Sequence, residues 1–204
     1  MKLFYQITKY NIENNKVKTY RKIKSKSFVQ AFLSYLYCTV ANTTTVLVKG
    51  ITNTQRTIGS SNFGHLIISA GGGSGNTTIM GNPQQVASSH NIGIVVGTGD
   101  TAVASTDYAL QTQITYGVTS GKLESNANTW TDVSVSAPNA SFTINRIFRN
   151  SSGGNITIKE IGIYTESEYT QTWLFCVVRD VLDVPVTMSN GDYLKVTYTF
   201  QITA

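Results

Sequence analysis

Three observations predict a mainly β fold: a β-sandwich or jelly-roll-like domain preceded by an N-terminal β-hairpin and one amphipathic helix. First, the 204-residue chain carries 28 Thr and 17 Gly among short, alternating apolar runs. β-branched side chains suit a pleated, half-buried surface, and glycines serve its turns. Second, only 13% of residues are charged, against about 25% in an average soluble domain. Polarity is carried instead by hydroxyls and amides, with 19 Ser and 16 Asn beside the threonines, a composition foreign to coiled coils and disordered chains. Third, apolar residues recur at intervals of three and four in one clear stretch, so a single helix is expected. The length suits one domain with a proper core rather than two full-sized ones.

Leu3, Tyr5 and Ile7 alternate with polar neighbours, Asn11 to Asn15 supplies turn residues, and Val17, Tyr20 and Ile23 continue an extended, charged stretch. This is the predicted hairpin. Ser27 then caps a helix running to Ala41, with Phe28, Ala31, Phe32, Tyr35, Leu36 and Val40 on its apolar side. From Thr43 onward every signal is β. Val46 to Val48 and Leu66 to Ile68 are short runs, and Gly71 to Gly75 reads as a connecting loop. Ile92 to Val96 precedes a Gly97-Thr98-Gly99-Asp100 turn, and Leu110 to Ile114 follows it. Trp130 to Ala137 alternates, which predicts a strand with one apolar face. Phe142 and Ile144 lead through Asn150 to Asn155 into Ile156 and Ile158, which predicts a hairpin. The apolar phase slips from Ile144 to Ile147 and from Ile158 to Ile161, so a bulge or bend is expected on both sides. Trp173 to Val178 reads as a buried strand. After Asn190-Gly191-Asp192, Leu194, Val196, Tyr198, Phe200 and Ile202 alternate without interruption against Lys195, Thr197, Thr199 and Gln201.

The formal net charge of +5 is unevenly spread. Residues 1–26 hold eight Lys or Arg against Glu13 alone, a net +7, and the remainder holds eight basic and ten acidic residues, a net −2. Charge thus divides the chain into residues 1–42, an attachment and oligomerisation segment, and residues 43–204, the sandwich. The cations stand just before the helix N-terminus, where the helix dipole is positive, so they serve a partner rather than the helix. Phe28, Phe32, Tyr35 and Leu36, with Lys22, Lys24 and Lys26, are the expected oligomer or partner contacts. No aromatic pattern interleaves these lysines along the chain as a single-strand binder needs, so nucleic acid is not the expected partner. The apolar run from Phe28 to Ala41 has 14 residues, short of the roughly 20 that span a bilayer, and neither membrane insertion nor export by general secretion is expected.

Catalytic chemistry finds little support. Cys38 and Cys176 lack the Cys-x-x-Cys or His spacing of a zinc site; two buried thiols are expected, and a disulfide is left open by the spacing. His65 and His90 are the whole supply of imidazole bases, one in a strand-like run and one in the Ser88-Ser89-His90-Asn91 loop. The stretch Ala70 to Thr77 is glycine-rich but has no lysine for a phosphate and no convincing helix after it. Asp100, Asp107, Glu160, Glu166, Glu168, Asp180 and Asp183 are scattered and read as surface acids. Eleven Tyr and two Trp among so many hydroxyls allow a sugar-binding surface, but Trp130, Trp173, Tyr193 and Tyr198 fit sheet positions. No catalytic residue, metal or cofactor is expected.

Three segments carry a family resemblance: Ile94 to Leu110 (IVVGTGDTAVASTDYAL), Phe148 to Tyr164 (FRNSSGGNITIKEIGIY) and Val178 to Phe200 (VRDVLDVPVTMSNGDYLKVTYTF). In this order, after a hairpin, a Lys-Ser-Lys-Ser-Phe-Val run and an aromatic-rich helix, they resemble a type of tailed-bacteriophage and prophage virion structural protein. The resemblance extends from the N-terminal hairpin to Phe200. It implies a non-enzymatic building block of the tail, neck or capsid surface, assembled as a homo-oligomer in the bacterial host cytoplasm and docked to other virion proteins. It supplies no catalytic residue. The alternative is a receptor- or carbohydrate-binding module at the tail or capsid surface, its partner a host-surface glycan held by the loops at Ser88 to Asn91, Gly97 to Thr106 and Ser120 to Thr129.

Overall fold

The computed structural model describes residues 1–12, 16–20, 22–25, 28–41, 46–58, 90–168 and 172–203. They form a mainly β, sandwich-like domain with antiparallel sheets and one short helix. The expected runs at Leu66 to Ile68 and Gly71 to Gly75, and His65, lie outside the described residues.

The main sheet has eight strands. Near one edge is β1 (Lys2–Asn11), paired on its outer side with β2 (Lys16–Thr19) and β3 (Ile23–Lys24). Four short strands follow in the chain, the last of them again part of this sheet. They are β4 (Val46–Lys49) and β5 (Gln55–Ile58), which pair with each other, then β6 (Gly93–Gly97) and β7 (Glu124–Ser125). Next come β8 (Thr129–Trp130), β9 (Ser134–Ser136) and the long β10 (Asn139–Arg149), then β11 (Ile156–Glu168), β12 (Thr172–Met188) and β13 (Asp192–Thr203). β13 lies between β1 and β10, and β7, β8 and β9 pair with the far side of β10. The second sheet runs β12-β11-β6.

The two sheets are buried differently. In the main sheet burial alternates: Leu3, Tyr5 and Ile7 of β1, Ile144, Arg146 and Phe148 of β10, and Leu194, Val196 and Tyr198 of β13 are buried, and the residues between them are not. One face therefore meets the core and the other meets water. In the smaller sheet Gly93–Gly97, Glu160–Thr165 and Phe175–Asp180 are buried without a break, the pattern of a sheet covered on both faces. The second cover is α1 (Gln30–Ala41), which packs on β12 and β4. Tyr35, fully buried, meets the Phe175 ring edge-on at 5.7 Å. Each fully buried Ile, Leu or Val contributes roughly 1.5–3 kcal/mol.

Several expectations are corrected. β1 is an interior strand of the main sheet, in register with β13 from Lys2↔Gln201 to Asn11↔Asp192, so the charge boundary at residue 42 is not a structural break. α1 starts at Gln30 rather than Ser27, because Phe28 bridges Val178 and the Val29 N–H donates to Val177 O on the edge of β12. The Asn150 to Asn155 turn is not a hairpin: β10 belongs to the main sheet and β11 to the smaller one, and the turn crosses between them. Asn150 is fully buried and holds that crossing. Its Nδ2 donates to Gly154 O and Met188 O, and its Oδ1 accepts from the Ser152 N–H and hydroxyl. The bulge after Ile158 is present: the register jumps from Ile158↔Val186 to Glu160↔Val181. No slip occurs at Ile144 to Ile147, where the β10–β13 register is unbroken. The inward position there is taken by a buried arginine, Arg146, so the apolar count misreads the phase. Trp130 to Ala137 is split between β8 and β9, and Val133 and Val135 face solvent.

Candidate interaction surfaces and the buried ion network

The residues expected to contact partners do not share one face. Phe32 and Tyr35 are buried in the domain's own core, and the Phe28 ring lies 4.0 Å from that of Phe32. Phe32 and Tyr35 are thus core residues, and Phe28 is half-buried against them. Leu36 is on the outer side of α1, joined by Leu33 and Tyr37, which are 62% and 58% exposed. Lys22 and Lys24 lie at the β3 end of the main sheet, and Lys26 is outside the described residues. Sequence periodicity found the helix but chose the wrong stripe, because aromatic residues at three-and-four spacing mark the buried side first.

The acids read as surface residues are partly core. Glu160 on β11 is fully buried. Its Oε1 accepts from the Gly99 N–H (3.1 Å) and the Thr112 N–H (2.8 Å), and its Oε2 accepts from the Gln111 N–H (3.0 Å) and from Arg179 Nε (3.0 Å). Arg179 continues to Asp107 Oδ2 (2.7 Å) and Thr101 O (3.0 Å). Burial alone lowers the Arg179 pKa, but the hydrogen bonds and charges of Asp107 and Glu160 outweigh it and the guanidinium is held above its ordinary value. The Tyr164 hydroxyl accepts from the Leu110 N–H at 2.7 Å and completes the attachment of the 97–112 loop to the smaller sheet.

This network explains the glycines of the first quoted segment. A Cβ on Gly97 would stand 2.5 Å from Thr112 O and 2.6 Å from Glu160 Oε1, and one on Gly99 would stand 2.6 Å from Glu160 Oε1. They permit close approach of backbone to a buried carboxylate. The three segments that carry the family resemblance therefore meet at one place, supplying Gly97, Gly99 and Asp107, then Glu160 and Tyr164, then Arg179. With their polar atoms engaged, Glu160 and Arg179 position a loop.

The remaining titratable groups follow the same pattern. His90 stacks on Tyr116 at 3.4 Å, its Nδ1 is 3.3 Å from Ser125 Oγ, and burial with the nearby Arg146 charge lowers its pKa. Among the described residues no carboxylate hydrogen-bonds that ring. Cys176 is a free, buried thiol whose pKa burial pushes up, and Cys38's side chain is outside the described set. Asp180 accepts from Ser25 Oγ (2.8 Å) and the Tyr198 hydroxyl (3.2 Å). Burial, with Asp180 and Asp183 nearby, raises Tyr5 to about 12.

Among the concavities lined by described residues, two border segments discussed above. One, of about 430 Å³, lies between Ala102–Ser105 and Asp180–Asp183, with Phe28 at its wall. The other, of about 820 Å³, lies at the sandwich end between Lys9, Lys16 and Lys18 and Pro185, Thr187 and Ser189. Of the proposed ligand loops, 97–106 borders the first. Ser88 and Ser89 lie outside the described residues; His90 stands beside Ser125 of the 120–129 loop, where Arg146 reaches Asn126 O and Asn128 bonds the backbone of Ile92 and Ile94. Among the described residues no helix is long and apolar enough to cross a membrane.

Comparison with protein-family models, with curated proteins and with solved structures finds no match.

Proposed function

We propose that this chain is a non-enzymatic structural component of a tailed-phage virion, in the tail, neck or capsid surface, that assembles as a homo-oligomer and docks to other virion proteins. The supporting observation is the outer side of α1. Leu33, Leu36 and Tyr37 stand exposed on a helix whose other side is packed into the core, and apolar groups clustered in this way mark contact surfaces. A sandwich with loops tied down by Glu160 and Arg179 suits a building block that keeps its shape among permanent neighbours. The family resemblance of the three segments points the same way.

The mass in solution tests this. Light scattering is expected to show an oligomer that Leu33→Glu and Tyr37→Glu convert to a folded monomer. A wild-type monomer over the micromolar range, or an oligomer indifferent to both changes, overturns the reading. The alternative receptor- or glycan-binding module rests on the 430 Å³ cleft beside the 97–106 loop. Saturable glycan binding lost on Ala104→Trp would favour it.

A further inference from the structure

Strand register assembles a surface on the outer face of the main sheet that no linear segment contains. Four rows cross it. Val17, Tyr10, Tyr193 and Arg149 form one, and Thr19, Thr8, Lys195 and Ile147 the next. Gln6, Thr197, Asn145 and Thr129 form the third, and Lys24, Phe4, Thr199 and Thr143 the fourth. Lys2, opposite Gln201, extends the same face. Its cations are Lys2, Lys22, Lys24, Lys195 and Arg149, drawn from both halves of the chain. Among the residues these strands place there, the carboxylate is Glu124, at the rim, 3.8 Å from Arg149.

Two properties of this face suit an anionic partner. Three cations elsewhere are in ion pairs, Lys159 with Asp100, Arg179 with Asp107 and Glu160, and Lys9 with Asp192. Lys2, Lys22, Lys24 and Lys195 have no carboxylate within ion-pair distance among the described residues. The face also holds some cations on aromatic rings. Lys22 Nζ is 4.7 Å from the Phe4 centroid, and the Arg149 guanidinium is 5.6 Å from that of Tyr193, itself stacked on Tyr10 at 5.1 Å. Cation–π contact keeps the charges on the sheet surface. Between them stand neutral donors, the hydroxyls of Thr8, Thr197, Thr199 and Thr143 and the amides of Gln6 and Asn145.

We propose that this face binds the phosphate backbone of a nucleic acid without reading its sequence. The six residue steps from Phe4 to Tyr10 span about 20 Å at roughly 3.4 Å each, which matches about six base pairs of duplex at 3.4 Å per strand. A broad face of unneutralised cations and hydroxyl donors, with no ridge to enter a groove, suits phosphates rather than base edges. The rings already hold cations or one another, so duplex backbone is favoured over stacked single strands. The helix proposed for self-association packs on β12 and β4, so assembly through it leaves this face open.

The test is fluorescence anisotropy of a labelled 20-base-pair duplex with the full-length protein from 50 to 200 mM salt. Binding is expected to weaken with a log–log slope of about −0.9 per phosphate contacted. Lys195→Gln and Lys24→Gln are each expected to lower affinity several-fold at 50 mM and to shrink that slope by about 1, whereas Lys122→Gln and Lys159→Gln leave both unchanged. No salt-dependent binding at 50 mM overturns the proposal. So does an equal effect of the Lys122 and Lys159 changes, or tighter binding of polyglutamate than of duplex, which would mark an acidic-protein surface instead. Circular dichroism confirms that the variants fold, and none of these outcomes depends on the oligomeric state.

Discussion

Arg146 and Arg179 are equally buried, each 2% exposed, and the two sheets satisfy them in opposite ways. Arg179, on the sheet covered on both faces, meets two carboxylates and one carbonyl. Arg146, on the inner face of the main sheet, meets only carbonyls: its Nε donates to Asn126 O, and its Nη1 lies within bonding distance of His90, Ile92 and Ile94 O. Carbonyl dipoles do not offset the lost hydration of a full charge as a carboxylate does, and burial lowers Arg146 to about 10. Each arginine pins irregular chain to a sheet, but one does so as an ion network and the other as a hydrogen-bond clamp. Removing a partner from the first strands a buried charge, while removing Arg146 strands only dipoles.

The largest expected effect is therefore Glu160→Ala. It leaves Arg179 with Asp107 as its one carboxylate and frees three backbone N–H groups, and it should cost about 3–5 kcal/mol in urea denaturation. Arg146→Met keeps the stem's volume and orphans carbonyls alone, so a smaller loss of about 1–3 kcal/mol is expected in the same assay. Equal losses would break the contrast between the two sites.

A third prediction concerns pH. Burial alone raises the Asp192 carboxyl, but hydrogen bonds from Lys9, Asn11 and the Ser189 N–H, with the Lys9 charge, outweigh it and hold it below its ordinary 3.8. A depressed folded value gives stability that is present above the unfolded value and lost as pH falls through the folded one. Denaturation curves of wild type and Asp192→Asn should thus stand apart at neutral pH and converge below about pH 4; a constant gap would show that the carboxylate charge contributes nothing. The smallest effect belongs to the exposed Lys159–Asp100 pair, where Lys159→Ala should leave the melting temperature unchanged within error.

Much of the fold was legible because period-two alternation survives wherever one face is wet. Leu3 to Ile7 and Leu194 to Ile202 show it directly, and both are strands of the main sheet. It failed at β10, where the inward residue between Ile144 and Phe148 is Arg146, and at Val133 and Val135, whose alternation faces outward. The ion network was harder to see. Gly97, Asp107, Glu160 and Arg179 are dispersed over more than 80 residues, and no local pattern tells a buried carboxylate from a surface one. Close approach to Glu160 explains why Gly97 and Gly99 are glycine, which a reading of them as turn residues alone did not reach.

By itself the sequence determined the mainly β class, the single helix among the described residues, the terminal strand's register of apolar positions and the concentration of cations near the N-terminus. Those are consequences of local periodicity and composition, which act over a few residues. Only the tertiary structure decided which cations stand together. β1 pairs with β13, so Lys22 and Lys24 share an outer face with Lys195 and Arg149, and the segment that charge alone had set apart is built into the main sheet. Backbone hydrogen bonding between strands distant in sequence sets that arrangement, and such pairing depends on which edges the whole core leaves available.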